Sequence, residues 1–263
     1  MRIFFFFVKT RILATLYYKF NIVFMILSSL FIMLVNISIW QSLYADRDIV
    51  YGITLNGMVI YTILSTVFSS IFYTTTAGKM AEGIRSGSIA YDLNRPFPYL
   101  LRYFGEDIGE ICSSFLLRGI PMLVIASFLF TIPLPINLSN FLLFIISLGL
   151  CYCILWLIDA IFGILNFWTL GFGNMSQVAI AIVRVLSGSF VPLWFFPDKL
   201  QTILYLTPFP YSYQSTISIY IGRFTWEESI KILLIQLLWI GILLIAMLAL
   251  YKKANRKIVV QGG

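Results

Sequence analysis

From Phe20 to Tyr44 the chain reads FNIVFMILSSLFIMLVNISIWQSLY, without one charged side chain. A helix needs roughly 20 consecutive, mostly apolar residues to cross a bilayer, whose lack of water forces each backbone group to be satisfied within the segment. Six stretches meet that need, at approximately 21–44, 57–76, 108–130, 141–165, 177–196 and 230–251. The chain is 60% hydrophobic and 11% charged, whereas soluble domains carry about 25% charged residues. A water-soluble core of this composition would leave large apolar patches exposed. The expected class is an all-α integral membrane protein with six transmembrane helices, residues 1–263 forming a single transmembrane domain.

Lysine and arginine set the orientation, because they accumulate on the cytoplasmic side. With both termini inside, the inner face holds Arg2, Lys9, Arg11, Lys19, Lys79, Arg85, Arg95, Arg102, Lys252, Lys253, Arg256 and Lys257. The outer face holds Arg47, Lys199, Arg223 and Lys231. That imbalance favours cytoplasmic ends and a multi-pass protein of the plasma membrane. It also accounts for the net charge of +7 without a nucleic-acid partner. The N-terminal MRIFFFFVKTRILATLYYKF lacks a small-residue cleavage site, and its apolar run is too short to span. It reads as an interfacial helix.

There is no histidine, which excludes Cys/His metal sites and His-based triads or dyads. Cys112, Cys151 and Cys153 lie in apolar runs and read as small buried side chains. Gly78-Lys79 lacks the glycines and hydroxyl residue of a phosphate-binding loop, and GFGNMS at 171–176 lacks both the last glycine and a preceding strand. No nucleotide or metal site is expected on this chain. Glu106, Asp107 and Glu110 share a helix face and are read as the first turn of the third span, where the helix dipole favours negative charge.

The segment 78–110 is the anomaly. It carries Lys79, Glu82, Arg85, Asp92, Arg95, Arg102, Glu106, Asp107 and Glu110 and is interrupted by glycine and proline. Lys79, Glu82 and Arg85 follow three-residue steps along one helical face. Ile84, Ile89, Tyr91, Leu93, Phe97 and Tyr99 add apolar anchors suited to a groove on a partner. The plain alternative is a solvated loop that fixes topology and binds anionic headgroups.

This segment resembles the loop after the second span of type-two ATP-binding cassette exporter permeases. Ile84-Arg85-Ser86-Gly87 matches the start of that loop, and Leu93-Asn94-Arg95-Pro96 its Leu-x-Arg-Pro core. A second match comprises Ser187-Gly188, Pro192-Leu193, Phe196-Pro197, Pro208-Phe209 and Tyr220-Ile221-Gly222. The first span, with Trp40 and Tyr44 at its end, is also similar to that family's. Thr216 departs from the pattern, which has proline there. The resemblance covers essentially the whole chain. It implies six spans, an N-terminal interfacial helix, a cytoplasmic coupling helix between spans two and three, and short outer helices before the last span. It implies two permease subunits, identical or sister chains, and two separate ATPase subunits that bind ATP and Mg. The coupling residues would then be Glu82, Arg85, Ser86, Gly87, Leu93, Arg95 and Pro96. The outer segment would be marked by Pro192, Pro197, Pro208, Tyr220 and Gly222. An aromatic and aliphatic path between the two permeases would suit a drug, peptide or lipid.

Two other classes compete. An intramembrane enzyme would have only Arg118, Asp159, Arg184 and scattered serines as its machinery. An ion-driven transporter would usually show paired repeats with broken helices at midplane, and none is visible. By depth, Asp159 of span four and Arg184 of span five nearly coincide, so an ion pair between them is expected. Arg118, one turn before Pro121, is expected to share Asp159 or face the cargo path. The prolines of 192–210 break any continuation of span five, so 198–226 is expected to form short helices at the outer leaflet.

Overall fold

The computed structural model describes residues 2–17, 19–45, 47–93, 97–131, 138–169 and 175–256. The order of elements is α1 (Arg2–Tyr17), α2 (Lys19–Tyr44), β1 (Ile49–Val50), β2 (Ile53–Thr54), α3 (Leu55–Ile71), α4 (Thr76–Arg85), α5 (Ile89–Leu93) and α6 (Tyr99–Ser114). A π turn (Phe115–Gly119) joins α6 to α7 (Ile120–Leu129). Then follow α8 (Leu138–Thr169), α9 (Met175–Leu186), α10 (Asp198–Leu204), α11 (Tyr213–Tyr220) and α12 (Trp226–Asn255), with 3₁₀ turns at Leu193–Phe195 and Phe209–Tyr211.

Among the described residues, five helical stretches are long and apolar enough to cross a membrane. They are Phe20–Tyr44, Leu55–Arg85 with its short break, Tyr99–Leu129 across the π turn, Ser139–Thr169 and Trp226–Asn255. The expected fifth span, 177–196, is not one helix. Its helix is α9, 12 residues long, or roughly 18 Å. Beyond Leu186 the chain turns through Ser187 and Gly188, where Tyr61 donates its hydroxyl to the Gly188 carbonyl at 2.7 Å. Any Cβ at Gly188 would lie 2.5 Å from the Gln214 side chain. The turn is therefore seated in the core, and Pro192 follows it.

Helix α8 lies at the centre, with α4, α9, α11 and α12 packed on it, while α1 rests on α6 and α2 on α3. On α2 a single stripe is buried: Met33, Ile37, Trp40 and Tyr44, spaced by three or four residues as one helical face requires. Its other faces are apolar and exposed, Phe20 at 85% and Phe31 at 68%. Helix α12 behaves alike, with Ile245 70% exposed. Apolar residues all round a helix suit a lipid surrounding.

One small departure from an all-α chain is the β1–β2 hairpin. Its two-residue turn places Tyr51 at φ 50° and Gly52 at φ 76°, the left-handed pair that a tight hairpin needs. Tyr44 closes the loop by donating its hydroxyl to the Ile53 carbonyl at 3.3 Å.

Candidate functional site

Helix α3 stops at Ile71, and after four non-helical residues α4 begins at Thr76. The first N–H groups of any helix lack internal partners and carry partial positive charge. The Thr75 side chain does not cap them. A buried carboxylate on α8 takes up that role, and a second one, on α6, holds the hydroxyls beside it. Asp159 of α8 accepts the Ala77 N–H at 3.0 Å. Asp107 of α6 accepts the Thr75 hydroxyl at 2.9 Å and the Thr76 hydroxyl at 2.6 Å. Asp107 is 1% and Asp159 3% exposed.

The grip on α4 has two further parts. On α8, Asn166 donates its amide to the Ala77 carbonyl at 3.3 Å. Gly163 lies between the two polar side chains, and a Cβ there would come within 2.7 Å of Met80 Sδ and 3.1 Å of Ala77 Cα. Asp159, Gly163 and Asn166 are four and three residues apart, so they form one stripe on α8. On the α6 side, Lys79 donates to Glu106 at 3.1 Å and to Asp107 at 3.4 Å. Glu106 also accepts from Arg102 Nε at 2.9 Å, and Arg102 reaches on to Asp92 of α5. Arg102 additionally lies 5.8 Å from the Phe7 ring of α1 and 5.4 Å from that of Tyr103.

The far end of α4 is open. Arg85 closes the helix, and the chain reverses at Gly87, whose φ of +72° is one that only glycine adopts freely. Glu82, Arg85 and Ser86 are exposed, and Tyr91 is 77% exposed. Ile89 is buried instead and anchors α5 to the body. Leu93 ends α5, while Arg95 and Pro96 lie outside the described residues. The corner thus has a locked base and an exposed tip.

The intramembrane charges are arranged differently from expectation. Asp159 and Arg184 line the same cavity of about 50 Å³, yet no ion pair joins them among the described residues. The reason is direction: Asp159 turns to the start of α4, while Arg184 is exposed on α9. Arg118 does not share Asp159 either. Seated on the π turn, it meets Glu110 at 3.7 Å, donates to Ser114 and lies 3.5 Å from Met25 Sδ of α2. Next to it, a Cβ on Gly119 would come within 2.6 Å of Ile71, so the π turn also brings α3 close. Glu106, Asp107 and Glu110 are not in a first turn, because the helix starts at Tyr99. They are held by cations and hydroxyls rather than by the helix dipole.

The segment 192–222 forms the expected short helices, α10 and α11. Pro192, Pro197 and Pro208 each immediately precede a short helix or 3₁₀ turn, where a missing N–H costs nothing. Tyr220 packs edge-on against Phe144 of α8, ring centres 5.0 Å apart, and the Gly222 N–H closes α11 on the Ile219 carbonyl at 3.2 Å. Helix α11 is buried from Tyr213 to Ile219. Gln214 accepts the Leu193 N–H at 2.6 Å and donates to the Tyr205 hydroxyl at 2.7 Å. Thr216, unexpected in that position, shares a hydrogen bond with Ser147 at 2.8 Å and accepts from Gln236 at 3.3 Å. That hydroxyl ties α11 to α8 and α12 at once.

A comparison with known families decides the identity. The model of the ABC-2 family transporter proteins matches residues 30–262. The chain belongs to that family. It is the permease subunit of an ABC transporter, and membership implies ABC ATPase partners and a membrane setting. No curated protein and no solved structure matches the chain. The permease was legible from the motifs at 84–87 and 187–222. The clamp on α4 was not singled out, although the spacing of Asp159, Gly163 and Asn166 was a signal available for it.

Proposed function

We propose that this permease is an exporter subunit whose α4–α5 corner docks onto a separate ATPase. The observation that carries the reading is the contrast within that corner. Its tip presents Glu82, Arg85, Ser86 and Tyr91 to solvent. Its base is bound to α6 and α8 by Asp107, Asp159 and Asn166. A push on the tip would then pass to the two helices as a rigid displacement. Leu93, Arg95 and Pro96 extend the docking surface on the family pattern. ATP and Mg bind the partner, and this chain contributes no hydrolytic chemistry.

In this reading both termini are cytoplasmic, which requires an even number of crossings. The sixth is made by α9 together with the turn and 3₁₀ residues that follow it to Phe196. Helix α1 lies at the inner interface, and α10 and α11 shape the outer mouth. A second permease, identical or a sister chain, completes the path. The cargo is hydrophobic or amphipathic, a drug, peptide or lipid. The setting is the plasma membrane.

The test is co-purification of the ATPase with Arg85→Glu and, separately, Tyr91→Asp. Both positions are exposed, so insertion should be retained. Loss of the ATPase and of transport from correctly inserted permease is the expected result. Full binding and transport in both variants would contradict the reading.

A further inference from the structure

A groove of about 470 Å³ opens between α6, α8 and α12. That volume is in the usual range of small-molecule sites. Its walls are Leu101 and Phe104 of α6 and Ile240, Leu244 and Leu248 of α12, with Trp156 of α8 as the floor. Leu101, Leu244 and Leu248 are 41%, 42% and 52% exposed, so the groove is open sideways.

Two observations say what fills it. The first is its length. From Ile240 to Tyr251, the lining of α12 rises roughly 16 Å at about 1.5 Å per residue. One leaflet of a hydrocarbon core of roughly 30 Å has the same depth. The second is charge at one end only. Ile240, Leu244 and Leu248 repeat every four residues, and the next member of the row is Lys252. Lys252 and Lys253 are both exposed and lie in the last turn of α12. An apolar slot one leaflet deep, with the Lys252 ammonium one turn beyond Leu248 at its end, matches an anionic phospholipid. The acyl chain would occupy the slot and the phosphate would meet Lys252, with Lys253 adding to the positive charge at that helix end.

We propose that this groove is a binding site for an anionic phospholipid. Its assignment to the inner leaflet rests on the orientation proposed above. The test does not, because it places the same lipids in both leaflets. The whole permease is reconstituted in nanodiscs of phosphatidylglycerol and phosphatidylcholine. A photoreactive group at the end of the acyl chain is carried by one lipid or the other, and labelled peptides are mapped by mass spectrometry. The phosphatidylglycerol probe should label 240–251 and 156–157 several-fold more densely than the more exposed face of α2 at Phe24 and Phe31. The phosphatidylcholine probe should show no such preference. Leu244→Trp, which fills the slot from an exposed position, should abolish the enrichment. Lys252→Ser with Lys253→Ser should remove the difference between probes. Equal labelling of the groove and α2 by the anionic probe would overturn the site. Equal labelling of the groove by both probes, or a preference that survives loss of both lysines, would overturn the headgroup recognition. A groove labelled by neither lipid but by a transported hydrophobic compound would assign it to cargo and overturn the proposal.

Discussion

Asp159 of α8 accepts the backbone N–H of Ala77, the second residue of α4, at 3.0 Å. The bond joins the centre of the bundle to the segment that faces the cytoplasm in the proposed orientation. Asp159→Ala removes the acceptor and strands a buried N–H, which costs about 1–3 kcal/mol. The thermal midpoint of detergent-solubilised permease should fall accordingly. Asp159→Asn keeps an acceptor oxygen and should lose less. An Asp159→Ala protein as stable as the parent would contradict this role.

Gly163 tests the same contact by crowding. A side chain there meets Met80, which can swing aside, and the Ala77 backbone, which cannot. Overpacking of this kind costs about 1–3 kcal/mol. Gly163→Leu should destabilise the fold and lower coupling of ATP hydrolysis to transport. Gly149, whose added Cβ would touch nothing within 4 Å, is the control, and Gly149→Ala should be neutral. The comparison is made by thermal unfolding and by transport per ATP hydrolysed.

Asp107 receives two hydroxyl hydrogen bonds and the Lys79 ammonium while almost wholly buried. Removing one partner of a buried pair costs about 3–5 kcal/mol. Lys79→Met should therefore be strongly destabilising, because the buried Asp107 carboxyl loses its cation partner. Lys79→Met with Asp107→Asn should recover part of the loss. A double-mutant cycle on unfolding free energies would read the coupling, and additivity within error would contradict the pairing.

The long helices were legible because their apolar runs exceed what a soluble core holds, and α2, α8 and α12 lie close to the expected ranges. The break between α3 and α4 was not legible. Residues 72–75 are FYTT, with neither glycine nor proline, and the new helix is set by carboxylates far along the chain: Asp159, 82 residues beyond Ala77, caps its N–H, and Asp107, 32 residues beyond Thr75, holds the Thr75 hydroxyl. The expected Asp159–Arg184 pair failed for a related reason. Depth along two helices can be counted from sequence, but the direction in which a side chain turns cannot. The departure at Thr216 had no local explanation, since Ser147 and Gln236 come from other helices. Exposure of the 82–91 corner was legible, because its charges and turn residues are local.

The Ser147–Thr216–Gln236 network offers an independent check on α11. Thr216→Val keeps the shape but leaves Ser147 and Gln236 without a shared partner. The expected cost is about 1–3 kcal/mol, read as a lower thermal midpoint, with ATPase binding unchanged because the α4–α5 corner is untouched. Loss of ATPase binding in this variant would show that binding reports general damage.

The central claim is that the α4–α5 corner is where the ATPase touches the permease. The most direct measurement is site-specific photocrosslinking in the assembled transporter. A photoreactive residue is placed at Glu82, Arg85 or Tyr91, and at Phe190 or Leu206 as exposed positions outside the corner. Crosslinks to the ATPase from the first three and none from the last two are the predicted result. An intact complex that crosslinks from Phe190 or Leu206, or from none of the corner positions, would contradict the account.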